Sequence, residues 1–351
     1  MTTLITRRGL LGSGIAGAAL LSAPSLRRAG ADENVLYVNT WGGGWEDAMR
    51  AAFFDAFTAK TGIEIRTVSP ISFAKLATQK ETGTYEFDVT SLGVADTGRA
   101  NRAGLLVPLE GRIDPGLLWD GAFYENGLAL YGFANQIAYH ADRFSAGGPD
   151  TWAKFFDTAA YPGDRSLQRH AVRVLTFALL ADGVPVDQLF PMDVERAFAK
   201  LEQIKPSVRV WWTAGPQARQ ILTDGEVAAA ALWDSDASAA KAASKDPVEI
   251  VWNEAVIDTA CWVAAAGSPR EANAVRLLEF MAGNVEGLAQ FCVADQSGPM
   301  NPKAFDFIPQ DVAQAMPTWP ANREKAVFLD GAKIVDQIDD INTRFEDWIA
   351  L

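Results

Sequence analysis

The stretch "NVLYVNTWGGGWEDAMRAAFFDAFTAKTGIEIRTVS", residues Asn34 to Ser69, changes its hydrophobic period twice. Residues 34–41 are rich in valine and aromatic side chains and predict a buried strand. A triple glycine at 42–44 leads into a segment with apolar residues at helical spacing and acids in its first turn. Gly62 ends this helix, and residues 63–69 alternate as a second strand. Strand, helix and strand in this order predict a parallel sheet.

The alternation continues on both sides of one long apolar segment. A helix at 72–83 and a strand at 86–93 complete a βαβαβ unit. The apolar run from Leu128 to Phe144 predicts a strand that leaves this unit. A second α/β block follows, with helices predicted within 172–184, 193–206 and 216–227, strands within 207–215, 228–233, 248–255 and 259–268, and an amphipathic helix at 269–291.

Two α/β blocks connected by long strands predict a two-lobed α/β protein, with a mixed sheet flanked by helices in each lobe and a β-strand hinge. We assign residues 32–132 and about 259–303 to lobe 1, and about 133–258 and 304–351 to lobe 2. Ligands of such sheets bind outside the carboxyl ends of strands, so we expect a site in the cleft between the lobes.

The N-terminal stretch "TRRGLLGSGIAG", Thr6 to Gly17, contains a G-x-G-x-x-G pattern. A dinucleotide-binding loop needs a strand before its first glycine, and the preceding residues do not predict one. Arg7 and Arg8 before a weakly apolar run, followed by Ala29-Gly30-Ala31, instead predict a twin-arginine signal peptide over 1–31 and a periplasmic protein. The alternative, an uncleaved anchor, is disfavoured because the run is short and glycine-rich for a membrane span.

Composition reduces the number of possible partners and kinds of site. A net charge of −13 disfavours nucleic acid and anionic membrane surfaces as partners. Two histidines without a cluster of acids or cysteines at metal spacing predict no metal site, and the rest of the chain has no phosphate-binding loop and no nucleophile elbow. We therefore expect no cofactor and no catalysis. Cys261 and Cys292 either form a disulfide or remain buried thiols.

Five segments resemble a known family in order and spacing. They are "LYVNTWGGGWEDAMRAAFFDAFTAKTGIEI", "YEFDVTSLG", "TDGEVAAAALW", "IVWNEAVIDTACWV" and "QSGPMNPKAF". Together they resemble the spermidine/putrescine-type substrate-binding proteins of ABC importers, over nearly all of the chain after the predicted signal peptide. The resemblance implies a monomeric type II periplasmic binding protein. Such a receptor closes its lobes on a small solute and delivers it to a permease in the inner membrane.

The resemblance also implies residues of the ligand site. Trp41 and Trp233 match two aromatic positions that polyamine receptors use, and Gly43 and Gly44 leave room for a close approach of the backbone. At two positions where the family presents acids to bind ammonium groups, an ungapped alignment places His170 and Arg173.

Two further positions depart from the family's pattern. Ala260 replaces another acid, with Asp258 two residues earlier, and Ser297 replaces an aromatic residue. The site has therefore lost cation partners and gained, in Arg173, a guanidinium suited to a bidentate grip on a carboxylate. With Asp258 available for an amine, we expect a small zwitterion or carboxylate of amino-acid type.

Other readings of the function stay open. A true polyamine receptor is the alternative within the family. A two-lobed α/β enzyme or a sensory ligand-binding protein is the alternative of another class.

The remaining candidate residues follow from strand ends and strand faces. Ser91 and Gly93 end a strand at the expected cleft, and Tyr131 and Asn135 lie on the proposed hinge strand. In "VRVWWT" the period of two places Trp211 and Thr213 on a mixed polar face that we expect to line the cleft, whereas Trp212 is expected to be buried. Each aromatic residue has packing in the core as its alternative role.

Overall fold

The computed structural model describes residues 34–124 and 126–351. The predicted signal peptide, including its glycine pattern, lies outside the described residues. The strands, in chain order, are β1 Val35–Asn39, β2 Glu64–Val68, β3 Val89–Gly93, β4 Phe123–Tyr124, β5 Gly127–His140, β6 Arg165–Gln168, β7 Val208–Trp212, β8 Ala229–Trp233, β9 Val248–Ala264, β10 Gly298–Pro299 and β11 Val327–Phe328.

The α-helices surround these strands. In chain order they are α1 Gly43–Met49, α2 Asp55–Thr61, α3 Phe73–Thr82, α4 Val94–Arg102, α5 Trp152–Phe156, α6 Ala171–Ala181, α7 Val194–Ile204, α8 Gly215–Thr223, α9 Asp234–Ala243, α10 Glu271–Gly283, α11 Val285–Asp295, α12 Gln310–Ala313, α13 Pro320–Arg323, α14 Gly331–Ile334 and α15 Ile338–Ala350. A π-helical turn, Arg50–Phe54, joins α1 to α2, so the predicted helix at 45–62 is continuous. None of the described helices is both long and apolar enough to cross a bilayer.

The strands form one sheet in the order β2-β1-β3-β9-β5-β8-β6-β7. β1 runs parallel to β2 and β3, as the βαβαβ pattern predicts. β6 likewise runs parallel to β7 and β8. The long strands β5 and β9 lie antiparallel to each other, from the pair Leu128 and Trp262 to the pair His140 and Val248, and so connect the two halves of the sheet.

Three large hydrophobic cores and one small cluster, formed by Ala134, Ala255 and Ile257, pack against this sheet in the described part of the chain. The first core surrounds β1, β3 and the first part of β5, and includes α10 and α11. The second and third cores lie on opposite faces of the other half, because neighbouring residues of β8 alternate between them. Ala229 and Ala231 belong to the second core, and Ala230 and Leu232 belong to the third. The predicted boundaries of the two lobes stay predictions.

Two predicted elements differ from the structure. The strands predicted at 248–255 and 259–268 are one strand, β9, because Glu254 is accommodated at a φ of 59° and pairing with β5 resumes on both sides. The helix predicted at 269–291 is broken into α10 and α11 at Asn284, whose side chain accepts a hydrogen bond from the Gly287 N–H at 3.1 Å. Asparagine at this position is a strong N-cap, which ends one helix and starts the next.

The two cysteines are thiols, and the glycines at 42, 43 and 62 stand where the backbone φ is positive. Cys261 and Cys292 are both buried, and no disulfide joins them within the described residues. Gly62 ends α2 in the left-handed region at a φ of 73°, as predicted. Gly42 and Gly43, before and at the start of α1, have φ values of 74° and 58°, which favour glycine over residues with a Cβ.

Candidate functional site

A cavity of about 650 Å³ opens where strands of both sheet halves end. Its walls include residues from the ends of β3 and β8, the middle of β9 and the first turns of α4, α6 and α9. The lining includes several residues that the sequence singles out: Trp41, Gly93, Tyr131, His170, Arg173, Trp233, Asp258, Ala260 and Ser297. A concave site with a few convergent polar groups is the usual form of a small-molecule site.

Arg173 is the central cation of this cavity. It lies in the first turn of α6 and is 7% exposed. One guanidinium nitrogen contacts Asp258 Oδ2 at 2.6 Å, and a second donates to Gln168 Oε1 at 3.1 Å. Its Nε has no hydrogen-bond partner among the described residues, so the guanidinium keeps an unused donor. Arg173, which the alignment placed in the cleft, therefore lies on the cavity wall, and its role in binding stays a prediction.

Aromatic rings hold this guanidinium in place. Its central carbon lies 4.3 Å from the centroid of the Trp233 ring and 5.8 Å from that of Phe133. Phe133 contacts Trp233 edge to face, with ring centroids 5.1 Å apart. Stacking on indole fixes the plane of an arginine, so Trp233 orients Arg173 in addition to lining the cavity. Trp41 lies on the same cavity with 59% of its surface exposed.

Two acids in the cavity lie outside the sequence prediction. Asp234, directly after Trp233, is 4% exposed, and its Oδ1 accepts the Ala134 N–H at 3.2 Å. Burial raises the pKa of Asp234 to about 8, although the Ala134 N–H and the N–H groups of Asp234 and Ser235 lower it, and the Asp295 carboxyl adds a smaller upward shift. Asp295, the last residue of α11, also lines the cavity, and burial raises its pKa to about 6. The cavity therefore combines one guanidinium with carboxyl groups whose charge depends on their surroundings.

His170 precedes α6 and lines the cavity. Burial and the adjacent Arg173 place the pKa of this imidazole well below its usual value. A neutral His170 adds no charge at neutral pH. His140 does not line the cavity. It is buried, and its Nε2 lies 2.7 Å from the Leu222 carbonyl oxygen. Within the described residues, histidine, cysteine and acidic side chains form no group that could hold a metal ion.

Four predicted residues do not belong to the cavity lining: Asn135 and Ser91 are buried, and Gly43 and Gly44 are exposed. Asn135 is fully buried and donates to Gln168 Oε1 at 3.3 Å, the same oxygen that accepts a hydrogen bond from Arg173. Ser91 is buried within β3, opposite Trp262 of β9. Gly43 begins α1 with a positive φ, and no atom of the described residues lies within 4 Å of a Cβ built there, so the room for a close approach stays a prediction. The same space surrounds Gly44.

The predicted orientation of β7 differs from the structure. Trp211 packs edge to face against Phe345 and Trp348 of α15, at centroid distances of 5.9 and 5.7 Å. Thr213 is exposed at the start of α8, where its N–H donates to Gln217 Oε1 at 3.2 Å. Neither residue belongs to the cavity lining: α15 packs against Trp211, and Thr213 is exposed beyond the end of β7. Trp212 is buried, as predicted.

The two missed acids carry signals in the sequence. Asp234 follows a strand that ends in tryptophan, at the carboxyl edge where ligands bind, although it also resembles an ordinary acid in the first turn of a helix. Asp295 ends a helix, where the helix dipole disfavours a carboxylate. An acid at that end calls for a separate explanation.

Comparisons with known proteins agree with this architecture. The family described as bacterial extracellular solute-binding protein matches residues 52–322. The chain is 31% identical to the gamma-aminobutyric acid-binding protein of Pseudomonas aeruginosa, across 99% of this chain and 97% of that protein. It is 24% identical to the spermidine/putrescine-binding periplasmic protein of Escherichia coli, across 63% of this chain and 64% of that protein.

A solved structure gives the same result. The Atu4243 receptor for gamma-aminobutyric acid (GABA) superposes with a TM-score of 0.83 at 28% identity, covering 90% of this chain and 98% of the receptor. The predicted fold class, a two-lobed α/β protein of the type II periplasmic binding kind, is confirmed. Because the family match spans more than half of the sequence, the chain belongs to the family of bacterial extracellular solute-binding proteins.

Proposed function

We propose that the chain is a receptor for a small zwitterion of amino-acid type, which it passes to the permease of an ABC importer. The observation that carries the proposal is Arg173, a buried guanidinium with an unused donor on the wall of the cavity. An arginine in this position is suited to a carboxylate. The relative from Pseudomonas aeruginosa, named for a ligand with one carboxylate and one amine, supports the same ligand class.

The polyamine alternative has its own support, because Asp234, Asp258 and Asp295 line the cavity and relatives at lower identity are named for spermidine and putrescine. Arg173 opposes it. A dication without a carboxylate would leave the guanidinium facing another cation in a partly dehydrated site, which is costly. Asp258 is already paired with Arg173, which reduces the acidic charge available to a second ammonium group.

The rest of the proposal concerns the setting. We expect export to the periplasm by the predicted twin-arginine signal, a monomeric receptor, and binding without turnover. Ligand binding between the lobes would shift the hinge equilibrium because only the closed arrangement contacts the solute from both sides.

Thermal unfolding with a panel of solutes tests the proposal. The panel contains GABA, butanoate, butylamine, putrescine and spermidine. A ligand at 100 times its dissociation constant adds about 2.7 kcal/mol to the free energy of unfolding. We expect the largest stabilisation from GABA, and stabilisation by spermidine alone would overturn the zwitterion in favour of a polyamine.

A further inference from the structure

Two carboxyl groups of the cavity have no cationic partner among the described residues. Among the acids that line the cavity, Asp258 pairs with Arg173 and Asp96 pairs with Arg99, whereas no ion pair of the described residues includes Asp234 or Asp295. Both of these acids line the cavity. They come from different halves of the molecule, since α11 belongs to the first core and α9 packs in the third.

The carboxyl group of Asp234 has an oxygen whose hydrogen bonding is not satisfied by the part of the chain that the structure describes. The side chain is 4% exposed, yet its Oδ2 has no hydrogen-bond partner among the described residues. Leaving a buried polar atom without a partner costs free energy, and such atoms are rare in folded proteins. Because Asp234 lines the cavity, a bound group can supply the missing contact.

Asp295 adds an independent indication. It is the last residue of α11, where the negative end of the helix dipole disfavours another negative charge. Its carboxyl is close enough to raise the pKa of Asp234. Two carboxyls on the wall of one cavity attract a cation that neutralises their charge.

We infer that Asp234 and Asp295 together hold the ammonium group of the ligand, and that Asp234 releases a proton when the ligand binds. This inference rests on the proposed zwitterionic ligand. It differs from the sequence-based prediction, which gave the amine to Asp258. In the structure Asp258 instead contacts Arg173 at 2.6 Å and orients the group proposed to bind the carboxylate.

The surrounding charges favour this division of roles. The other charged or titratable groups on the cavity wall are Arg173, Asp258, Asp96, His170 and Tyr131. On α9 itself, Asp236 lies 3.9 Å from Arg219 of α8. Cys292, on the same helix as Asp295, is buried with a raised pKa and stays a thiol.

The protonation states of Asp234 and Asp295 before binding set the direction in which ligand affinity changes with pH. With a pKa of about 8, Asp234 is mostly protonated at pH 7 before binding. Asp295, with a pKa of about 6, is mostly ionised. An ammonium group stabilises both carboxylates, so binding draws the proton from Asp234 into solvent. Affinity should therefore rise between pH 6 and pH 8.5, where the amine of GABA stays protonated.

Titration calorimetry with GABA in buffers of different ionisation enthalpy measures the proton release directly. At pH 7 the wild-type protein should release close to one proton per GABA bound. Asp234→Asn should abolish most of this release, and Asp295→Asn should leave at least part of it. Each substitution should weaken GABA binding by about 10- to 100-fold, because a charge-assisted hydrogen bond is lost.

Asp236→Asn is the matched control for Asp234, two residues away on the same helix and outside the cavity lining. Glu286→Gln in the first turn of α11 serves the same purpose for Asp295. Both controls should keep wild-type affinity and proton release. The pH series on the wild-type protein needs no substitution and tests the inference even where a variant folds poorly.

The outcomes separate this inference from the proposed function. GABA binding by the wild-type protein without proton release, or with affinity that falls as the pH rises, would overturn the ammonium site and leave the zwitterionic ligand intact. A fall with pH would mean that protonated Asp234 donates to the carboxylate. Spermidine binding without GABA binding would overturn the proposed function itself.

Discussion

Two arginine–aspartate pairs in this protein differ in whether every buried polar side-chain atom has a hydrogen-bond partner among the described residues: the Asp88–Arg270 pair is complete in this sense, and the Asp258–Arg173 pair is not. In the first core, Asp88 accepts from the Tyr37 N–H, from Ser268 and from Arg270 Nε, and Arg270 lies over the Tyr37 ring. In the cavity, Arg173 contacts Asp258 and Gln168 but keeps an unused Nε. A buried pair with complete hydrogen bonds stabilises the fold, whereas an incomplete pair beside a cavity leaves capacity for a ligand.

The complete pair predicts the largest effect on stability. Arg270→Met should lower the free energy of unfolding by about 3–5 kcal/mol, because it leaves the Asp88 carboxylate buried without its cation. Chemical denaturation measures this loss. Arg276→Met, on the exposed side of α10, the helix that Arg270 precedes, is the control and should cost under about 0.5 kcal/mol. GABA affinity should survive in Arg270→Met, and an equal stability loss in the control would contradict the comparison.

The incomplete pair predicts an effect on binding instead. Arg173→Lys keeps a positive charge beside Asp258 but loses the guanidinium plane that stacks on Trp233 and the fork that grips a carboxylate. We expect GABA binding to weaken by about 2–3 kcal/mol, close to 100-fold, with a smaller loss of stability. Calorimetric titration measures the affinity.

Arg169→Lys provides the control for this change. Arg169 lies four residues before Arg173, is exposed, and pairs with Glu346 outside the cavity. Its substitution should leave the affinity unchanged. If Arg173→Lys binds GABA as tightly as this control does, the carboxylate site lies elsewhere on the cavity wall.

This contrast also marks the limit of what the sequence could predict. The parallel βαβαβ unit followed from periodicity, because strand and helix patterns near Gly62 are local. The resemblance to the family predicted which strand ends meet, because the order of the segments fixes this. It therefore placed four residues in one cleft: Arg173, Asp258, Trp41 and Trp233. Whether a buried arginine has all its partners depends on long-range contacts, such as Arg173 with Asp258, and sequence spacing does not give these.

Long-range contacts also explain why the prediction for Trp211 was wrong and why two acids of the cavity were missed. Trp211 has the alternation of a residue facing the cleft, but α15, from the far end of the chain, covers that face of β7. Asp234 was missed because it resembles an ordinary acid in the first turn of a helix, and Asp295 was missed because its unfavourable place at the end of α11 does not by itself indicate a cavity. Asn284 is a local signal for a helix start and could have been recognised from its N-cap preference.

Trp41 and Trp211 extend the comparison to aromatic side chains, with the smallest expected effect. Trp41 is 59% exposed on the cavity, whereas Trp211 contacts two rings of α15. Trp41→Ala should change the free energy of unfolding by less than about 0.5 kcal/mol and weaken GABA binding by about 1 kcal/mol, roughly fivefold. Trp211→Ala should do the reverse, because it removes packing and leaves the cavity wall intact. Chemical denaturation measures the free energy of unfolding of both variants, and calorimetric titration measures their affinity for GABA. If Trp41→Ala changes neither quantity, solvent exposure beside the cavity does not identify a ligand contact.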